Sequence, residues 1–258
     1  FTKKGAVKAQ KELVSKLPRN RRKLNISVFK IILVLVLAIV IVGVGAGFGA
    51  LKGILDDTPN INADALIPKG YKTTLVYQNG KEITTLANSN SNREYVYYDS
   101  IPEDLVNAFV AIEDRRFWEH NGIDVQGIAR AFIKGLKSGD FDEGASTLTQ
   151  QLIKNNVFNV GLNESTFLDK LERKVQEQYL AVDMEKKIDK KSIVEYYLNT
   201  IYLGEGCYGV ETAAKTYFGK ELSQLSVSEC AVLAAIPQNP TKYDPLLSPD
   251  DNKSRRTQ

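Results

Sequence analysis

The sequence predicts a mainly α-helical protein with a small β element, preceded by one N-terminal transmembrane helix. Three observations carry this. Residues Ile31 to Leu51 hold no charge, a run of 21 residues. Apolar residues at helical spacing dominate the chain beyond Ser100. A single Asn79-Gly80 turn sits between two short β-prone runs. Composition is that of an ordinary globular chain, with 43% hydrophobic and 25% charged residues, which excludes a disordered or fibrous chain. Two cysteines exclude a disulfide scaffold or Cys-rich zinc module, and one histidine excludes a multi-His metal site.

The charge is unevenly placed. Residues 1–30 hold ten Lys or Arg and one acid, Glu12, whereas the rest of the chain holds 24 Lys or Arg and 30 acids. A basic arm thus precedes a mildly acidic body, and nucleic acid is not an expected partner. The uncharged run is roughly 31 Å long as a helix, enough to cross a bilayer core. It is too long for the apolar region of a cleaved signal peptide. Residues 1–27 read as a basic cytoplasmic arm and residues 28–51 as the span. The excess of Lys and Arg before the span places the N-terminus in the cytoplasm and the remainder outside, as a single-pass protein of the plasma membrane. Gly43, Gly45, Gly47 and Gly49 form two small-xxx-small pairs that offer a packing surface, although such glycines are commonly just tolerated. Met184 is the only methionine and the chain opens at Phe1, so a trimmed N-terminus is expected.

Residues 52–99 read as a linker with a β-hairpin. Thr73–Tyr77 and Lys81–Leu86 flank Asn79-Gly80, expected as a type I′ turn. A polar loop follows at 88–93, and Arg93–Tyr98 is expected as a further short strand. From Ser100 helices take over. Ser100/Glu103, Ser192/Glu195 and Ser226/Glu229 each read as a capping box. A second helix carries Val125, Ile128, Phe132, Ile133 and Leu136, a third starts near Ser146, and a fourth spans Phe167–Lys187 and buries Phe167, Leu171, Val175 and Val182. Residues 100–245 form the expected helical domain, and 246–258 the start of a linker or next domain. Cys207 and Cys230 are expected as two small buried thiols rather than a bridge.

Several residues could carry chemistry. Glu113 and Asp114 end the Ser100 helix ahead of a loop closed by Gly122, a place that presents a carboxylate into a cleft. Taken alone they read sooner as a solvated helix end with an Arg pair, and His120 as a structural hydrogen-bonding residue. In Gly144-Ala-Ser-Thr-Leu-Thr-Gln-Gln151, Ser146 is placed to cap a helix whose free N–H groups would make an anion site. Thr147, Gln150, Gln151 and Lys154 share one polar face. Arg173 and Glu177 stand four apart on a stripe opposite the Phe167/Leu171/Val175 face. Their order is the less favourable one for helix stability, a weak hint of another use.

Together these segments form an ordered set. Glu113-Asp-x-x-Phe-x-x-His120-x-Gly122, the 144–151 segment, Arg173-Lys-x-x-Glu177 and Lys191-x-x-Ile-Val-Glu195-x-Tyr-Leu-Asn199 resemble the successive motifs of the peptidoglycan glycosyltransferases. These are the transglycosylase domains of class A penicillin-binding proteins and the monofunctional glycosyltransferases. Tyr202-Leu-Gly204, Tyr208-Gly-Val-Glu211, Tyr217-Phe-Gly-Lys220 and Ala234–Pro240 are also similar, and the resemblance covers about residues 71–256. Each motif alone is weak; the order makes the set specific.

The resemblance implies a lysozyme-like helical domain that polymerises lipid II. A lipid-linked glycan strand is the donor, lipid II is the acceptor, and the product is a β-1,4-linked strand made with inversion. It implies Glu113 as the general base and Glu177 as the second catalytic carboxylate. Glu177 would orient the sugar-pyrophosphate or hold a divalent cation, Mg2+ or Mn2+. Lys154 and Arg173 would meet the pyrophosphate charge with help from Ser146, while Thr147, Gln150, Gln151, Asp114 and Lys174 complete the substrate site. Because both substrates carry lipid tails, exposed apolar residues are expected between Asn155 and Leu168, namely Val157, Phe158, Val160, Leu162 and Phe167. Many relatives continue into a transpeptidase domain with a Ser-x-x-Lys nucleophile. The only such sequence here is Ser27–Lys30, at the membrane boundary. The chain is therefore expected to be part of a longer, bifunctional protein working with the cell-wall synthesis machinery, with a stand-alone enzyme as the other reading. Competing functions are a membrane-anchored glycan-cleaving enzyme, which needs no pyrophosphate site, and a non-catalytic cell-wall scaffold.

Overall fold

The structure, a computed structural model, describes residues 3–86, 92–138, 144–158 and 166–257; the side chains of residues 3, 14–27, 82 and 85 are outside that description. The chain divides into two compact units, Phe1–Asp57 and Thr58–Gln258.

The first unit is one helix, α1 (Lys3–Asp56), in which arm and apolar run are continuous. Its segment Val28–Asp56 is long and apolar enough to cross a membrane, and none of it is buried in protein. A helix apolar on every side must bury itself in protein or in lipid, so this one is built for lipid. Gly43, Gly45, Gly47 and Gly49 have open space around them.

The second unit begins with a 3-10 turn, Ala63–Leu66, whose Leu66 is wholly buried in the core. The hairpin follows as β1 (Thr73–Val76) and β2 (Glu82–Leu86), antiparallel, with an irregularity between Leu75 and Val76. Its turn is not type I′. Gly80 has φ +82°, while among described non-glycine residues only Glu205 has a positive φ. Gly80 N–H donates to Tyr77 O at 2.8 Å and Tyr77 N–H donates to Lys81 O at 2.7 Å. This is a three-residue loop in which glycine alone takes the left-handed position. The segment Arg93–Tyr98, expected as a strand, is not one. Arg93 makes one isolated bridge, to Tyr208. Its side chain is drawn inward, where it donates to the carbonyls of Asn199 (2.6 Å), Gly70 (2.8 Å) and Lys69.

Among the described residues, eight helices then form the domain: α2 (Glu103–Glu113), α3 (Val125–Ser138), α4 (Leu148–Val157), α5 (Phe167–Met184), α6 (Lys190–Thr200), α7 (Val210–Phe218), α8 (Val227–Ala235) and α9 (Pro249–Arg256). α7, which ends in the left-handed Gly219, is not among the helices expected from the sequence. The core is one cluster in which α4 packs on α5 and α6, and α8 packs on α2 and α9. Phe109, Leu152, Met184, Ile193, Tyr197 and Leu233 lie in it, each contributing about 1.5–3 kcal/mol by burial. Cys207 and Cys230 are buried and free.

The caps correct two expectations and meet a third. Ser226 and Glu229 form the expected capping box of α8. Ser100, by contrast, ends a 3-10 turn (Tyr98–Ser100), and α2 starts behind Pro102. Asp189, not Ser192, caps α6, because an Asp three residues ahead reaches the Ser192 N–H. Glu195 is recruited elsewhere: its carboxylate accepts from Tyr95 Oη and, at 2.7 Å, from Tyr98 N–H.

Two helix faces also differ from expectation. α5 ends at Met184 and buries Gln176, Glu177, Leu180, Ala181 and Met184, while Phe167 and Leu171 are exposed and Val175 and Val182 are half-buried. The Arg173/Glu177 stripe therefore faces inward rather than away. On α3, the apolar Val125, Phe132, Ile133 and Leu136 are all exposed. In the stretch expected to expose apolar groups, Phe167 and Leu168 do so. Val157 and Phe158 instead pack against the core, and Val160 and Leu162 lie outside the described residues.

Candidate active site

α2 ends at Glu113 because Asp114 leaves helical geometry, with φ −155° and ψ 74°. The Asp114 carboxylate then turns inward. Both of its oxygens lie 3.0 Å from His120 Nε2. Asp114 Oδ2 also accepts from Leu148 N–H at 3.0 Å, at the first turn of α4. The anion at the N-terminus of α4 is thus the protein's own, which corrects the expectation of free amides there for a ligand. A carboxylate at that end of a helix is favoured by the dipole.

Glu113 is held by different partners. Gln151 Nε2 donates to Glu113 Oε2 at 2.9 Å. Tyr197, wholly buried, donates its hydroxyl to Gln151 Oε1 at 3.2 Å, which fixes which end of the amide faces Glu113. Glu113 Oε1 has no hydrogen bond, and Arg255 Nη2 lies 3.6 Å from it. Burial pushes the Glu113 carboxyl above the usual carboxylate range; Gln151 and Arg255 pull it back down, and neighbouring Asp114 adds to the rise. A carboxylate made more basic in this way suits a general base.

The cap of α4 is Thr147, one residue beyond the expected Ser146. Gln150 N–H donates to Thr147 Oγ1 at 3.2 Å, and Thr147 Oγ1 donates to Gly122 O at 2.8 Å. Gly122 is required there: its φ is +89°, and a Cβ would lie 2.6 Å from the Ala181 backbone. The side chains of Thr147 and Gln150 are therefore occupied in holding the loop on α4. Ser146, left outside the cap, accepts instead from Lys174 Nζ at 2.7 Å.

Across the cleft stands α5. Glu177 is 0% exposed. It accepts from Arg173 Nη1 and, at 2.9 Å, from Lys174 Nζ. Lys174 so links Ser146 to Glu177, a bridge that spacing alone does not reveal. Lys154, on α4, has no ion-pair partner among the described residues. All ten residues expected from the sequence line one cleft of about 1520 Å3: Glu113, Asp114, Ser146, Thr147, Gln150, Gln151, Lys154, Arg173, Lys174 and Glu177. Arg130 and Lys134 of α3 and Arg255 and Arg256 of α9 also line it. The cleft is thus a buried carboxylate facing a bank of cations.

The donor set does not fit a resident divalent cation. Both Glu177 oxygens accept from cations, and no group of three potential metal ligands exists among the described residues. Tyr197, Gly122 and Arg255 also bear on the site's geometry, though the sequence reading assigns none of them a place in it. Gly122 closes the Glu113 segment and Tyr197 is the tyrosine of the Glu195–Asn199 segment, so both have a signal; Arg255 reaches the site only through the fold.

A family model described as Transglycosylase matches residues 79–258. Penicillin-binding protein 1F of Bacillus subtilis is 44% identical over 182 residues, covering 70% of this chain and 24% of that protein. Penicillin-binding protein 1A of Aquifex aeolicus is 51% identical over 164 residues, 64% of this chain and 22% of its own length. Penicillin-binding protein 1A of Clostridium novyi is 45% identical over 201 residues, 76% of this chain and 23% of its own. The chain spans about a quarter of the length of these relatives.

Proposed function

The chain belongs to the transglycosylase family, and on that premise we propose that it is a peptidoglycan glycosyltransferase that polymerises lipid II. The observation that carries the proposal is the opposition of one basic, buried carboxylate, Glu113, to the Lys154, Arg173 and Lys174 cations across a single cleft.

The chemistry follows from that opposition. The acceptor sugar's 4-hydroxyl attacks the anomeric carbon of the donor strand, and Glu113 Oε1 takes its proton. That oxygen is the one with no hydrogen bond. As the new C1–O4 bond forms, the C1–O bond to the polyprenyl pyrophosphate breaks, and the leaving group departs with the electron pair. Attack from the opposite face inverts the centre and gives a β-1,4 linkage. The growing negative charge is met by Lys154, Arg173 and Lys174. Glu177 keeps Arg173 and Lys174 in place: both pair with its fully buried carboxylate.

Lipid-linked substrates require a cleft that opens at a bilayer. The exposed apolar side chains of α3 and of the start of α5 support a membrane-facing surface on this domain. The apolar part of α1 supports a single-pass anchor, with the basic arm in the cytoplasm and the catalytic unit outside. The relatives are penicillin-binding proteins of about four times the matched length, which supports a transpeptidase domain as this unit's partner in cell-wall synthesis.

The test is polymerisation of labelled lipid II by the purified chain, beside Glu113→Gln. Polymer from the parent, with a drop of about 10²–10⁴-fold in the variant, is expected for loss of a general base. No polymer from a folded parent, with cleavage of finished peptidoglycan instead, would replace this reading by that of a glycan-cleaving enzyme.

A further inference from the structure

The geometry points to Arg255, on the C-terminal helix α9, as a positioning residue that holds the Glu113 carboxylate in its ionised, proton-accepting state. The inference rests on Glu113 serving as the base. Several features build α9 for this place. Asp244, buried, accepts from Leu246 N–H at 2.7 Å and Leu247 N–H at 3.1 Å, and its carbonyl accepts from Ser248 N–H at 2.8 Å. This closes the turn that reverses the chain. Pro249 then starts the helix. Asn252, also buried, donates to Val232 O at 3.1 Å and Tyr243 O at 2.8 Å, which pins α9 to the end of α8. Since α8 packs along α2, the anchored helix carries Arg255 to the end of α2.

There Arg255 Nη2 stands 3.6 Å from Glu113 Oε1. The remaining groups around Glu113 do not duplicate it. Gln151 from α4 and Tyr197 from α6 are uncharged. Asp114, the neighbouring like charge, is committed to His120 and to Leu148 N–H. Arg255 is therefore the cation that opposes both burial and Asp114 at this carboxylate. The two side chains are only 16% and 11% exposed, so solvent screens them little. At 3.6 Å the guanidinium is close enough to favour negative charge on Oε1, the oxygen that does not accept from Gln151.

The experiment is the pH dependence of kcat/KM for lipid II polymerisation by the full chain in detergent. Arg255→Gln is expected to move the acid limb up by about one pH unit or more, with a thermal midpoint near that of the parent. At a pH below both limbs, a limb displaced by about one pH unit makes the variant about tenfold slower than the parent. Arg255→Lys keeps the charge and is expected to restore most of the limb. Lys253→Gln removes an exposed cation of the same helix and leaves it unchanged. An Arg255→Gln limb that coincides with the parent's overturns the proposal, as does a Lys variant no better than Gln. If Arg255→Gln does not fold, Arg255→Lys decides: a limb near the parent's supports the role, and one displaced as far as expected for complete loss of the cation removes it. Glu113→Gln separates the two readings. If it remains active, the base assignment fails; if it is inactive and the Arg255 limb is unmoved, only this inference fails.

Discussion

Tyr197→Phe is a sharp perturbation of the site because it removes one oxygen and leaves everything else. The ring stays packed edge-to-face on Phe109, with centroids 6.2 Å apart. What is lost is the donor to Gln151 Oε1 at 3.2 Å. A neutral hydrogen bond of this kind contributes about 0.5–1.5 kcal/mol, so stability should fall by about 1 kcal/mol. The larger interest lies in the rate. Without the phenol, the Gln151 amide is free to turn, and Nε2 leaves Glu113 Oε2, which it now contacts at 2.9 Å. A bond to a charged group is worth about 1.5–3 kcal/mol, which sets the upper limit. Glu113 itself still pulls on the amide, so partial loss is expected: a drop of about 3–10-fold in kcat/KM, or about 0.7–1.4 kcal/mol. The sign of the pH effect is fixed. Losing a hydrogen bond to the ionised form raises the proton affinity, so the acid limb moves to higher pH. Initial rates of lipid II polymerisation across mildly acid to neutral pH, beside a thermal melt, read both effects. Reduced stability with an unchanged rate and limb would refute the orienting role. A loss as large as that of Glu113→Gln would refute the indirect path, since Tyr197 would then act on the reaction itself.

Two further outcomes follow from the packing. Gly122→Ala forces a Cβ to within 2.6 Å of the Ala181 backbone at a φ of +89°; a stability loss of at least about 2 kcal/mol is expected, and a melting point equal to the parent's would contradict the close approach. Phe132→Asp together with Ile133→Asp charges the exposed face of α3; turnover of vesicle-embedded lipid II should fall by about tenfold or more while thermal stability holds, and an unchanged vesicle rate would show that this face does not meet lipid.

The order of most helices and the residues of the cleft are readable from the chain because both are written locally. Glu113, the 144–151 segment and the Arg173–Glu177 spacing each announce themselves within a few residues. The misreadings come from contacts made at long range. Glu195 looks like a cap partner of Ser192, yet Tyr95 and Tyr98, about a hundred residues earlier, take it. The Arg173/Glu177 stripe reads as solvated because charge is normally outside; it is inside because cations from the same helix neutralise the buried carboxylate. The apolar side of α3 reads as core for the same statistical reason, yet Val125, Phe132, Ile133 and Leu136 are exposed. Ser146 and Thr147 compete for one cap, and local pattern cannot choose between adjacent hydroxyl residues. Tyr197 sits within a recognisable segment, but its use, like that of Arg255, is set by a partner on another helix.

Asp114 bears on how the site holds together as a unit. It follows Glu113 directly in the chain and grips the first amide of α4, the helix that carries both Gln151 and Lys154. On the proposed mechanism, one dipeptide therefore contributes both the proton acceptor and a hydrogen bond that holds α4 beside it. If α4 shifts, Asp114 and the Glu113 next to it must shift with it or let go. The Leu148 amide, donated to that buried carboxylate, is the proton whose exchange with water would report whether the mechanism is assembled.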